Sequence, residues 1–359
     1  MIDFSQYQGP VAEWEEFAAS TNFANAATQD LTPLELRMRQ NSTRISASRM
    51  NLKQKGLLHR ISWVDHSITT RDSQVIVARV YRSKGAPLGT ILPVYLYYHG
   101  GGHLFGSIET EDFACGLIVT NYPPPGIIVV SVNYRHTPEF RWPTQLHDAW
   151  DAFEWLSENI EQIGGDQSRV VVGGISAGGG LAAGVVLHQN KLLHEGQPAP
   201  PIRFSGQVLC SPWILHPLAS PFSNHPLSSF NQNQTAPNLP WSALKLYSSL
   251  LGEAAITDSQ FNVALSTDDQ LQGLPKTGCL VSGQDLLRDE ALYFGDRLNK
   301  NGTPTKVHVF PGLPHGFRRF TSLWSASRWE ELIRECIQWC LSDDTKSSFV
   351  VESNLTLEP

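Results

Sequence analysis

The 359-residue chain has no run of basic residues, no long apolar stretch and no cysteine pair at metal-ligand spacing. Phosphate recognition needs clustered Lys and Arg, and here 27 basic residues face 34 acidic ones, for a formal net charge of −7. Nucleic acid is therefore not expected as a partner. Nothing approaches the roughly 18 apolar residues of a membrane span. Cys115, Cys210, Cys279, Cys336 and Cys340 are odd in number and scattered, without a CxxC motif or a Cys/His cluster. Cys336 and Cys340 lie one helical turn apart in an apolar stretch and read as core packing. The opening MIDFSQYQGPVAEWEEF has neither a basic segment nor an apolar one of the kind that begins a secretory signal, so a cytoplasmic protein is expected. In that setting Asn41-Ser-Thr and Asn354-Leu-Thr read as chance matches to the glycosylation pattern.

What the chain does have is material for a core: 41% of residues are hydrophobic and 17% charged. Residues 1–55 read as helical and polar. From about 58 the pattern becomes β. LLHRISWVDHSI and SQVIVARVYRS alternate apolar and polar positions, as half-exposed antiparallel strands do. ILPVYLYYH, GIIVVSVNY, RVVVGG, GQVLCS, GCLVSG and KVHVF are continuous apolar runs, the mark of strands buried on both faces. Between them, residues 144–160, 178–193, 287–300 and 324–341 show helical spacing. Strand–helix alternation predicts an α/β fold with a mostly parallel sheet, here of eight strands.

Residues 212–270 break the rhythm, being rich in Pro, Ser and Asn yet carrying Trp213, Trp241 and Tyr247. A structureless loop of that length is unusual in a compact domain, so an inserted cap with helices near 240–251 is expected rather than a disordered linker. The resulting division is an N-terminal helical part of the cap (1–55), a catalytic core in two pieces (56–211 and 271–345), the cap insertion (212–270) and a polar tail (346–359) that frays.

Within RVVVGGISAGGGLAAGVVL, a buried strand turns through glycines into a helix, and Gly174-Ile175-Ser176-Ala177-Gly178 matches G-x-S-x-G. Small residues two positions either side leave room for a nucleophile at a tight corner, and the helix N-terminus aims N–H groups at a developing anion. A dinucleotide-binding turn is the competing reading. Gly173, Gly174 and Gly178 do not give the G-x-G-x-x-G order, however, and the turn lies late in the chain. His99-Gly100-Gly101-Gly102 follows another strand, where glycines let backbone N–H groups approach an oxyanion unobstructed. His99 is expected to hold this loop. His103 is left open between facing the pocket and capping the turn.

A serine hydroxyl needs a base, and the base needs an acid to orient it. Asp285 stands at the end of the strand GCLVSG, and His315 stands in the loop Pro311–Phe317 beyond KVHVF. Of 12 histidines, His315 alone combines chain order and context. Asp289 and Glu290 read as opening the next helix, and His308 as a strand residue.

Taken together these segments resemble the hormone-sensitive-lipase-like family of α/β hydrolases, over about residues 91–320. The resemblance is carried by HGGG at 99–102, by GISAGG at 174–179 and by NYRHTPEFRWPTQLHDAWDAFEWL with Arg135, Pro138, Glu139, Pro143 and Asp148 in matching places. Ser211-Pro212-Trp213, Asp285-Leu-Leu-Arg-Asp-Glu and His315-Gly316-Phe317 also match. It implies a carboxylesterase that needs no cofactor or metal, with Ser176, Asp285 and His315 as catalytic residues and Gly101, Gly102 and Ala177 supplying the oxyanion hole. The cap would be built from the N-terminal helices and the insertion. Ile175 stands where the family usually has Asp, and Asn133 and His136-Thr137 also depart from its pattern. The expected reaction is hydrolysis of a small-molecule ester, with short to medium acyl chains or an acylated natural product. Acyl transfer, cyclisation or elimination at the same site is the alternative, and non-catalytic binding a third. An apolar sheet edge could pair two copies as a homodimer.

Overall fold

Runs of β-branched and aromatic residues build the centre of the molecule. The strand Leu92–Tyr98 (LPVYLYY) is buried at every position, as a strand covered on both faces must be. In the computed structural model, which describes residues 3–21, 31–87, 89–223 and 225–352, nine strands form one sheet. They are β1 (Ile61–Thr69), β2 (Val75–Ser83), β3 (Leu92–Tyr98), β4 (Ile128–Asn133), β5 (Gly165–Ile175), β6 (Phe204–Cys210), β7 (Lys276–Gln284), β8 (Thr305–Pro314) and β9 (Ser348–Val351), in the order β1-β2-β4-β3-β5-β6-β7-β8-β9. β1 pairs with β2 and β2 with β4 antiparallel; every other pairing is parallel.

The helices are α1 (Ala12–Ser20), α2 (Pro33–Gln54), α3 (Ile108–Asn121), α4 (Thr144–Asn159), α5 (Ala177–His194), α6 (Ser229–Gln232), α7 (Trp241–Leu251), α8 (Ala254–Thr257), α9 (Asp268–Leu271), α10 (Arg288–Lys300) and α11 (Trp324–Cys340). The period of two along the strands sorts the core into two faces. Val94, Leu96 and Tyr98 point to one face, beneath α4 and α5. Tyr95 and Tyr97 point to the other, against α3 and α11. Cys336 and Cys340 are buried on α11, as their spacing predicts, and the strands approach them through glycine. A Cβ on Gly206 would lie 2.3 Å from the Cys340 sulfur, and one on Gly278 2.8 Å from the Cys336 Cβ. All five cysteines are free thiols.

Two expectations need correction. The sheet has nine strands rather than eight, and the extra one lies in the segment expected to fray. Phe349-Val350-Val351 is β-branched and aromatic, and it pairs in parallel with Lys306–Val309. Glu352 then fastens the end: its N–H donates to Val309 O (2.7 Å), and its carboxylate lies 2.8 Å from His308 Nδ1. Asn354 lies outside the described residues. Residues 212–270 carry α6 to α9, with α7 in the interval where helices were expected. Of α3 the sequence reading had no inkling: it is apolar on most sides, with eight of its 14 residues buried, so it lacks the one-sided stripe that betrays a surface helix.

Candidate active site

β5 ends and α5 begins at Ser176, which holds φ 56° and ψ −122°, a left-handed conformation rarely adopted by a residue with a side chain. Its N–H donates to Cys210 O (2.8 Å), and its carbonyl accepts from Gly180 N (3.0 Å) and Trp213 N (2.9 Å). Backbone bonds on both sides thus fix the corner. The flanking glycines are required, though for a reason other than crowding of the serine itself. A Cβ on Gly174 would sit 2.5 Å from Gly178 C and from Tyr98 O, and one on Gly178 2.1 Å from Tyr98 O. The elbow is pressed against the end of β3.

β7 and β8 deliver the acid and the base beyond their carboxyl ends. His315 Nε2 is 3.1 Å from Ser176 Oγ, and His315 Nδ1 is 2.6 Å from Asp285 Oδ2. Asp285 is buried, and its other oxygen accepts from Leu287 N (3.0 Å). Residues of the 212–270 segment brace both loops. Asn233 Nδ2 donates to Asp285 O (3.0 Å) and Asn238 Nδ2 to His315 O (2.9 Å). Behind them, the fully buried Arg288 donates to Asp289 (2.7 Å), Gln232 (2.7 Å), Gln8 (3.0 Å) and Gly283 O (3.2 Å). The chain's N-terminus, its 212–270 segment and its β7 loop converge there. Asp289 and Glu290 do open α10, as expected, but both are buried. Burial, with the charge of Asp289 added, pushes the Glu290 carboxyl up to about 8.

The loop after β3 completes the constellation. Gly101 has φ 147° and Gly102 φ 60°, and a Cβ on Gly101 would overlap Phe105 O at 1.7 Å. On Gly102 a Cβ would strike the Tyr247 ring of α7 at 2.4 Å. Among the described residues, the N–H groups of Gly101, Gly102 and Ala177 donate to no protein acceptor, so all three are free to serve an oxyanion. His99 lies beneath the loop, stacked on Tyr134 with centroids 4.4 Å apart, in the holding position expected of it. Tyr134 donates to His99 O (2.8 Å). His103 is buried among Tyr134, Trp142, Trp213 and Phe261, and its carbonyl accepts from Thr137 N (2.9 Å). Burial lowers His99 to about 4 and His103 to about 3, so both imidazoles are neutral. Ile175 is packed in the apolar cluster between β5 and α11, its Cγ2 3.1 Å from where a Gly100 Cβ would be.

The sequence reading missed a buried charge cluster beside this loop. Glu111 of α3 accepts from Arg318 Nη2 (2.6 Å) and Tyr97 OH (2.9 Å), and Arg318 Nη1 donates to Glu330 (3.0 Å). Burial alone would raise the Glu111 carboxyl, but Arg318 and Arg319 outweigh it and hold it at about 2. Only Arg318, three residues past His315 in an Arg-Arg pair, offered a local signal. The resemblance segment also finds partners: Arg135 donates to Asp148 (2.6 Å) and Asp72 (2.7 Å), and Glu139 accepts from Arg37 (2.6 Å). Among the described residues no His/Cys/Asp/Glu group is arranged to hold a metal, and no helix is long and apolar enough to cross a membrane.

Comparison with known proteins agrees with this architecture. Residues 95–319 match a family described as alpha/beta hydrolase fold. Esterase LipI of Mycobacterium tuberculosis is 33% identical over 67% of this chain and 71% of its own length. Versiconal hemiacetal acetate esterase of Dothistroma septosporum is 28% identical over 79% of this chain and 84% of its own. Among solved structures, vibralactone cyclase superposes with a TM-score of 0.83 at 23% identity, covering 93% of this chain and 96% of that one, a likeness of fold alone. By these matches the chain belongs to the α/β-hydrolase fold family, in its hormone-sensitive-lipase-like branch of carboxylesterases.

Proposed function

We propose that the protein hydrolyses a small-molecule carboxylic ester through an acyl-enzyme formed on Ser176. The observation that carries this is the continuous hydrogen-bonded line from Ser176 Oγ through His315 to Asp285, at 3.1 and 2.6 Å. His315 Nε2 takes the serine proton as Oγ bonds to the acyl carbon, and Asp285 holds the imidazolium. The carbonyl electrons move onto an oxygen cradled by the N–H groups of Gly101, Gly102 and Ala177. Collapse breaks the bond to the alcohol, which leaves with the proton from Nε2. Water, activated by the same imidazole, then releases the acid and restores the serine.

In this reading residues 1–55 and 212–270 form the cap that shapes the pocket. The name of the Dothistroma relative supports an acetate ester as one substrate class. Five buried free thiols suit a reducing, cytoplasmic setting. The exposed apolar side chains of β9, Phe349, Val350 and Val351, suit edge pairing in a homodimer, which sedimentation of wild type beside Val350→Lys tests: only a wild-type dimer that the lysine dissociates supports it.

The deciding experiment is hydrolysis of 4-nitrophenyl acetate, butyrate, octanoate and palmitate by wild type and Ser176→Ala. Turnover of the shorter esters is expected, with a loss on the order of 10⁴-fold or more in the variant. A variant as active as wild type, or a serine-directed phosphonate that labels some residue other than Ser176, overturns the proposal. One observation favours a second reading, acyl transfer or cyclisation without water: Ser176 is only 8% exposed. Mass spectrometry of products distinguishes the two, because net addition of water to every acyl substrate excludes the second.

A further inference from the structure

Along one face of α2, Arg37, Asn41, Arg44 and Ser48 recur at helical spacing, and all four meet the segment that follows the glycine loop. Arg37 Nε donates to Leu104 O (2.8 Å). Asn41 accepts from Gly106 N (2.8 Å) and donates to Gly106 O (3.4 Å). Ser48 Oγ accepts from Phe113 N (3.0 Å). Arg44 is the exception. Its guanidinium lies over the Phe105 ring, 4.3 Å from the centroid, and its buried Nη1 has no hydrogen-bond partner. Among the described residues Arg44 makes no ion pair.

The surrounding charges do not balance. Near Arg44 are two further cations, Arg318 and Arg319, and the carboxylate of Glu111. Glu111 is already occupied by Arg318 at 2.6 Å and by Arg319 at 3.5 Å. The second carboxyl, Glu330, lies 3.0 Å from Arg318 and has one buried oxygen without a partner. Three guanidinium groups therefore face two carboxyls, and burial raises Glu330 towards its neutral form, which widens the excess. Burial and the neighbouring Arg319 push Arg44 itself well below the ordinary arginine range, the sign of a cation held without its counter-ion. An unpaired buried charge is costly, and an arriving anion removes that cost.

Position says which anion. Phe105, on which Arg44 rests, stands edge-on to Tyr247 with centroids 5.7 Å apart, and the Tyr247 ring lies against Gly102. The Phe105 ring also lies 3.0 Å from where a Gly101 Cβ would be, so a single aromatic ring separates Arg44 from the nearer candidate oxyanion donor. A guanidinium resting on an aromatic ring keeps its N–H edge for polar partners, and that edge suits two-pronged pairing with a carboxylate.

We propose that Arg44, with Arg319 beside it, binds a free carboxylate on the substrate, so that the preferred esters carry a second, ionised carboxyl group. This rests on the esterase reading above. The test compares matched esters: 4-nitrophenyl hydrogen adipate against 4-nitrophenyl hexanoate for a carboxylate on the acyl side, and 4-acetoxybenzoate against its methyl ester for one on the alcohol side. The readout is the charged-to-neutral ratio of kcat/KM. In wild type this ratio exceeds one for at least one pair. It falls on the order of tenfold to a hundredfold in Arg44→Met, the loss of a charge-assisted hydrogen bond, and is partly kept in Arg44→Lys. Adipate is also expected to inhibit hydrolysis of the neutral ester by wild type competitively. It should bind Ser176→Ala in calorimetry as well, a readout that survives failure of the esterase reading. A ratio of one or less on both pairs, a ratio that Arg44→Met leaves unchanged, or adipate that neither inhibits wild type nor binds Ser176→Ala overturns the inference.

Discussion

Ser176 and Gly102 show how much of this site is set by single backbone conformations. A side chain at φ 56° costs roughly 1–3 kcal/mol and persists only where neighbours over-determine it, as the three backbone bonds around Ser176 do. Gly102 at φ 60° has no such tolerance, because a methyl group there would enter the Tyr247 ring. Gly102→Ala is therefore expected to lower kcat on the order of 10²–10³-fold, the scale of one lost oxyanion donor, with a smaller change in KM. Steady-state kinetics on a short-chain ester checks this. Glu290 offers a second test. Its folded pKa, about 8, lies above the ordinary carboxylate value, so the group stabilises the fold below about 4.5 and that contribution is lost as pH rises towards 8. Glu290→Gln is expected to gain melting temperature relative to wild type at pH 9 and to gain less at pH 5.

At the scale of elements, β9 is the smallest piece with the largest exposed consequence. It covers β8 with four residues and is tied down by Glu352. A chain ending at Ser347 would leave β8 as a bare edge, so a lower melting temperature and concentration-dependent aggregation are expected, measurable by light scattering during a thermal ramp. The same element shows why sequence reading stopped where it did. Ser348–Val351 is too short for alternation to register among polar neighbours, and α3 is buried too evenly to show a stripe. The serine elbow, the glycine loop and the loops holding Asp285 and His315 were legible because each is a local rule of strand, turn and glycine. Glu111, Tyr97, Arg318 and Glu330 were not, since their meaning lies in partners up to 221 residues apart. The steric reason for Gly178 was also out of reach, because the carbonyl it avoids belongs to β3.

For the molecule as a whole, acid should be the more damaging direction of pH. His99 and His103 are buried and His136 is half-buried, and desolvation lowers all three below the ordinary imidazole value, His99 to about 4 and His103 to about 3. Each contributes stability that is present above about pH 6.5, the unfolded value, and is lost as pH falls towards the folded one. The carboxyls that burial raises, Asp112, Asp148, Glu290 and Glu330, work in the opposite sense over part of that window, but burial also lowers His147, His188 and His216, so four carboxyls are set against six imidazoles. The melting temperature is expected to drop as pH is lowered from 6.5 to 4, with a smaller drop in His136→Phe.

The fastening of α2 along the backbone that follows Gly101 and Gly102 joins two distant stretches of chain into one unit. Arg37, Asn41 and Ser48 hold main-chain atoms of Leu104, Gly106 and Phe113, so any displacement of the helix is also a displacement of the backbone that leads out of the glycine loop. Residues 37–48 and 101–113 therefore keep their alignment, or lose it, together.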